Sequence, residues 1–237
     1  MDAAVRIPLL FSDIPASGGP LPIAQLNLGG IPRGAAILVG HQGALFGDAG
    51  ERMNQLAEHG YESVAADLAA AGAGHSDHAL VADVGILLGR LADRGWAPEQ
   101  VGLIGYGPGA RAALLGAAEY TLGAAISIGP AGDLESLTVL AARLHTPWLG
   151  MFAGSQLADA ERLGPGLQAA PAYTEVVQYH RVPEDFYRNP REWATYAAAF
   201  DSFQRIIEWL DAHVVPRPTP LAELWLRRQL AVGRTPA

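Results

Sequence analysis

Two short stretches hold the side chains best suited to proton chemistry. One is Gly40-His41-Gln42-Gly43, directly after the apolar run Ala35–Val39. The other is Tyr179-His180-Arg181-Val182-Pro183-Glu184-Asp185-Phe186, which follows a second apolar run. An imidazole and a carboxylate held across a semi-apolar pocket can move protons on a bound molecule without any covalent intermediate. Covalent chemistry has fewer candidates. The chain contains no cysteine, which excludes a thiolate nucleophile, thiolate metal sites and disulfides together. Ser76, Ser127 and Ser155 are the hydroxyls near strand ends or loops, with His41, His145 and His180 as bases. Ser127 lies inside an apolar run and reads as a buried hydroxyl bonded to backbone, and His145, before Thr146-Pro147, reads as a surface residue. Ser155 and His180 fall where α/β sheets bind ligands, but neither has a sharp turn to present it. Gly74-His75-Ser76-Asp77-His78 brings two histidines and an aspartate together, yet a metal needs three or four converging ligands and no further ones are evident. It reads as a loop, with no metal and no cofactor expected.

The elements that must position these residues follow from the hydrophobic pattern. Continuous apolar runs at Ala35–Val39, Ser63–Ala66, Val101–Ile104, Ala124–Ile128, Trp148–Phe152 and Glu175–Tyr179 suit strands buried on both faces of a parallel sheet. Glu51–His59 and Val81–Arg94 between them have helical spacing, as does Trp193–His213. Val5–Phe11 and Leu21–Leu28 flank the turn cluster Ser17-Gly18-Gly19-Pro20 and predict a leading strand pair. Alternating strands and helices imply an α/β fold, a mostly parallel, doubly wound sheet of about seven or eight strands flanked by helices, with no large lid. Residues 1–215 form one domain. Pro216-Arg217-Pro218-Thr219-Pro220 breaks the chain before Leu221–Leu230, within a 216–237 segment that docks on the body, pairs with a second subunit as a homodimer, or hangs loose.

Composition narrows the function classes. Half of the 237 residues are hydrophobic, enough to build a single large core. The net charge is −8, and the basic side chains are all arginines, which argues against a nucleic-acid partner. No stretch approaches the run of about twenty apolar residues that a membrane helix needs, and the first residues show no signal peptide. A cytoplasmic protein acting on or binding a small molecule is expected.

The most informative stretch is Val101-Gly102-Leu103-Ile104-Gly105-Tyr106-Gly107-Pro108-Gly109-Ala110-Arg111, running into Ala112-Ala113-Leu114-Leu115. A buried strand turning through Gly-x-x-x-Gly into a helix is the nucleophile elbow of α/β-hydrolases. With Gly60-Tyr61 before a strand ending Ala66-Asp67-Leu68, the Tyr179–Phe186 turn, Asn189-Pro190 and the final helix, the chain resembles the dienelactone hydrolase family over residues 5 to 213. That resemblance implies a catalytic triad, and the departures from it are specific. Gly107 stands where the family keeps Cys or Ser. Pro108, which has no N–H, stands where the second oxyanion donor belongs. Glu184 falls at the histidine position, and the acid's place falls on Gln156 or Leu157. The resemblance thus implies a divergent member lacking the triad. Two functions stay open. The first is a non-hydrolytic acid–base enzyme, an isomerase, cyclase or lyase, using Glu184 and His41 on a small apolar or lactone-like molecule. Its pocket would be lined by His41, Gln42, Tyr106, Gly107, Pro108 and Phe186, with extra room above Gly107. The second is an inactive pseudo-hydrolase that binds a ligand or partner, in which Tyr106 or Phe186 can fill the space above Gly107. A third view makes it a hydrolase by fold only.

Overall fold

The computed structural model describes residues 6–16, 18–40, 47, 49–68, 76–130, 134–188 and 192–232. Eight strands form one sheet: β1 (Leu10–Ala16), β2 (Gly19–Leu26), β3 (Gly34–Val39), β4 (Tyr61–Ala66), β5 (Val101–Tyr106), β6 (Ala124–Ile128), β7 (Trp148–Ala153) and β8 (Thr174–Tyr179). Their spatial order is β1-β2-β4-β3-β5-β6-β7-β8. β2 runs antiparallel to both β1 and β4, and the strands from β4 to β8 pair in parallel.

Strand residues alternate between two cores because successive side chains leave opposite faces of a strand. Ala36, Leu38, Ile104, Ile126, Ile128, Leu149 and Met151 pack under α1 (Ala49–Glu58) and α6 (Trp193–His213). Their neighbours Ala35, Ile37, Val39, Val101 and Leu103 pack under α2 (Asp77–Ala92) and α3 (Pro108–Glu119). Farther along that second face, Ala125, Trp148 and Phe152 meet α3, α4 (Leu134–Ala141) and α5 (Leu157–Ala169). The strand order reverses direction at β3, whose neighbours are β4 on one side and β5 on the other. In such sheets the crevice at the carboxyl ends of the two strands around the reversal is where ligands bind. β3 ends there at Val39, and the turn after β5 opens there.

Several boundaries differ from the sequence reading. The leading strand is Leu10–Ala16 rather than Val5–Phe11. Pro8 has no N–H for a ladder, and the Ile7 N–H is taken by the Asn54 side chain at 2.7 Å instead. The hairpin turn is accordingly shorter, with Gly19 and Pro20 paired to Ala16 and Pro15. Helix α2 starts four residues earlier than Val81, because the Ser76 hydroxyl accepts the Ala79 N–H and caps it. Asp77, offered above with His75 and His78 as a metal ligand, is bound through both oxygens by Arg111 at 2.8 and 2.7 Å. The last segment is a helix, α7 (Pro220–Val232), and it is exposed along residues 221–229 except at Ala222.

Candidate functional site

The turn between β5 and α3 is built by three glycines with separate tasks. A side chain on Gly105 would overlap the carbonyl of Gly109, and one on Gly109 would overlap the carbonyl of Val39. Both must lack Cβ for α3 to fold back this closely over β5 and β3. Gly107 has φ 54° and ψ −117°, a backbone conformation that L side chains rarely adopt. Its N–H donates to the Ile128 carbonyl at 2.8 Å and its own carbonyl accepts from Ala110 at 3.0 Å, so the turn is pinned on both sides. Pro108 then opens α3 at a position where its missing N–H costs the helix nothing.

The space above Gly107 is not open. A Cβ built on Gly107 would lie 2.5 Å from the Tyr187 hydroxyl oxygen. Neither Tyr106 nor Phe186, the residues expected to compete for that space, supplies this atom. Phe186 is 1% exposed and packs in the core against Tyr179 and Tyr187, with ring centroids 4.9 and 5.7 Å away. Tyr187 itself is held from two directions. Its ring lies 5.4 Å from that of Tyr106. Its carbonyl accepts from Arg52 Nη2 at 2.6 Å, and the Arg52 guanidinium stacks 4.0 Å over the Tyr106 ring. Burial raises the pKa of the Tyr187 phenol, with Arg188 and Arg52 opposing that shift, so it is a neutral hydroxyl at ordinary pH.

Tyr106 and Tyr187 form the floor of a cleft of about 420 Å³ between α1 and α6. Arg52, Arg188, Tyr196 and Phe200 are among its walls. Glu184 is not part of it. That residue lies on the surface past β8, packed against Gly154, and its carboxylate accepts from both the N–H (3.2 Å) and the hydroxyl of Ser155. Its turn leaves β8 through Arg181, whose φ of 64° is otherwise rare for a non-glycine residue.

The remaining candidates are dispersed. Gln156 closes the short helical turn after β7, its side chain against Gly129, and Leu157 opens α5. Ser127 is fully buried, donating to the Ala110 carbonyl at 2.9 Å and accepting from Trp148 Nε1 at 3.0 Å. His145 and His180 are exposed. His41 and Gln42 lie outside the described residues. Sequence reasoning missed Tyr187, Arg52 and Phe200. The one available signal was that Phe186 is followed directly by a second aromatic residue, so that either could have pointed at the elbow.

The eight-stranded sheet, its reversal at β3 and the elbow after β5 define an α/β-hydrolase fold. The family model for dienelactone hydrolases matches residues 77–214, more than half of the chain, and the protein belongs to that family. Among solved structures, a Klebsiella pneumoniae protein described as a dienelactone hydrolase superposes with a TM-score of 0.71 at 22% identity, over 86% of this chain and 99% of that one. A dienelactone hydrolase from Anabaena variabilis gives 0.66 at 18% identity, over 89% and 100%. An esterase from Pyrobaculum calidifontis gives 0.67 at 14% identity, over 89% and 87%. At these identities the likeness is one of fold. No curated protein matches the chain.

Proposed function

We propose that this protein is a dienelactone hydrolase homologue that does not hydrolyse through a covalent nucleophile, and that it binds a small molecule carrying both an aromatic or apolar part and a polar group in the Tyr106–Tyr187 cleft. One observation carries the reading: the hydroxyl of Tyr187 occupies the space into which a side chain at position 107 would project. A phenol of raised pKa is a poor nucleophile at neutral pH, and among the described residues no carboxylate or imidazole hydrogen-bonds its hydroxyl to activate it. At the neighbouring position Pro108 has no N–H to stabilise an oxyanion. The cleft sets the rings of Tyr106, Tyr196 and Phe200 beside charged groups such as Arg52, Glu58 and Arg188, so it offers both apolar contact and polar anchoring to a small molecule.

The test has two readouts. Hydrolysis of p-nitrophenyl acetate by the purified protein should not exceed the rate in buffer with bovine serum albumin at equal mass. The dye 8-anilinonaphthalene-1-sulfonate should bind with saturable fluorescence, and the double substitution Tyr196→Ser, Phe200→Ser should weaken it at least tenfold. Enzyme-like turnover removes the first half of the proposal, and unchanged dye affinity removes the second.

A second reading is favoured by the pairing of Glu184 with Ser155 at the end of β7. There the carboxylate serves as the proton acceptor of a non-hydrolytic reaction, with His41 as its counterpart. Glu184 stands apart from the lining of the cleft and is exposed, and for that reason binding is placed first. Undiminished turnover by a Glu184→Gln variant, once a substrate is in hand, would sink this reading.

A further inference from the structure

Helix α7 is thirteen residues long, and its large apolar side chains in the described part are exposed. Leu221, Leu224, Trp225 and Leu226 are between 46 and 77% exposed. Isolated helices of about 12–15 residues are marginal in water, so most of their stability in proteins comes from packing an apolar face. Leu221, Leu224, Trp225 and Arg228 follow the i, i+3, i+4, i+7 spacing of one such face.

The chain leading into α7 is anchored next to a surface of matching character. Val215 N–H donates to the Glu99 carbonyl at 2.9 Å and Arg217 N–H to the Arg33 carbonyl at 2.9 Å. The Arg217 side chain donates to the Gly95 carbonyl at 2.8 Å and stacks 3.7 Å over the Trp96 ring. Trp96 is one wall of an apolar groove of about 280 Å³, which Leu88, Ala92, Pro98, Tyr120 and Leu122 complete. None of the groove's lining residues comes from α7. Pro218 and Pro220, just past the anchored Arg217, restrict the turn by which α7 could fold back onto it.

Charge favours the same pairing. The segment from residue 220 onward carries Arg227, Arg228 and Arg234 against Glu223 alone, on a chain whose net charge is −8. Asp93, Glu99 and Glu119 are exposed around the groove. Of the arginines beside the groove, Arg94 is engaged by Glu62 at 2.8 Å and Arg90 by Gln25 at 3.1 Å, which among the described residues leaves Arg217 over Trp96 as the one cation set against three carboxylates.

We propose that the protein is a two-fold homodimer in which α7 of each copy lies in the Leu88–Trp96–Tyr120 groove of the other. The exchange is isologous, so one contact is made twice and closes the assembly. It places Leu221 and Trp225 against Leu88, Ala92 and Tyr120, the groove residues with surface to offer, with Arg227 and Arg228 towards the acidic rim. This interface lies at the end of the sheet where β5 begins, opposite the Tyr106–Tyr187 cleft, and is independent of the function proposed above.

Light scattering on the full chain after size exclusion should give twice the chain mass, and Leu221→Asp, Trp225→Asp should give the single-chain mass with unchanged far-ultraviolet circular dichroism. A monomeric wild type, or a double variant that stays dimeric, overturns the proposal. Because the chain has no cysteine, Ala92→Cys and Ala222→Cys can be made singly and mixed under mild oxidation. A disulfide-linked dimer is expected only in the mixture. Equally rapid linkage of Ala222→Cys to itself would mean that α7 pairs with α7, and would overturn the assignment of the groove.

Discussion

At the residue scale the protein turns on two positions eighty residues apart in sequence, Gly107 and Tyr187. Gly107 was legible as the residue at the centre of an elbow, since the flanking glycines and the strand–helix junction are local features. The occupant of the space above it was not, because the side chain that reaches there is set by how the turn after β8 packs on Tyr106 and Arg52. Room above Gly107 was expected, and the Tyr187 hydroxyl takes it. This has a direct consequence for repair of the elbow. Gly107→Ser puts a side chain at φ 54° and against that hydroxyl, so it should destabilise the fold by about 1–3 kcal/mol in urea unfolding without raising p-nitrophenyl acetate hydrolysis. A gain in ester turnover would mean that a base and an oxyanion site are already in place. Gly109→Ala is the structural control. Its methyl group meets backbone rather than a movable side chain, and a loss of about 1–3 kcal/mol is expected.

At the element scale the long buried runs translated well into strands, because only both-face burial tolerates such continuous hydrophobicity. Glu175–Tyr179, read in the same way, is instead the half-buried edge strand β8, covered by β7 on one side alone. Ala124–Ile128 and Trp193–His213 match β6 and α6 in both bounds. The edges of the sheet were less legible: β1 is exposed along most of its length and carries little hydrophobic signal, so proline chemistry and pairing with β2 decide where it sits. α4 and α5 were not delimited by pattern alone. α4 is only eight residues, and α5 is rich in Ala and Gly with Pro165 inside it. The packing of α6 on β8 includes a polar link, in which the Tyr179 hydroxyl donates to Asp201 at 2.7 Å and Arg205 Nε donates to the same oxygen at 2.8 Å. Burial pushes the Asp201 carboxyl up, but the bonds from Tyr179 and Arg205 outweigh it and hold the pKa below the usual carboxylate value. A carboxyl depressed in the folded state adds stability above its unfolded pKa of about 3.9 and loses that contribution as pH falls through the folded value. The Asp201 side chain is about half exposed and screened by solvent, so Asp201→Asn should cost less than about 1 kcal/mol at pH 7, and the gap to wild type should narrow as pH is lowered below about 4. Urea melts at stepped pH measure this, and a gap that widens in acid would contradict the assignment.

At the scale of the whole molecule, composition and alternation pointed to one α/β sheet. The order of its strands could not be read, since that depends on which crossover each helix takes. Among the described residues no helix is long and apolar enough to cross a membrane. The fold supplies a crevice at the carboxyl ends of β3 and β5, and in this chain that crevice is reached by Tyr187 from the far end of the sheet. The central claim is that the protein has no activated nucleophile, at the elbow or displaced from it. Intact-mass spectrometry after incubation with a fluorophosphonate probe tests this without any knowledge of the substrate, because such probes phosphonylate serines that a base has activated. The account predicts an unmodified mass over hours at neutral pH. Stoichiometric addition of one phosphonyl group, lost on Ser155→Ala, would contradict it and return the protein to the hydrolases in activity as well as in fold.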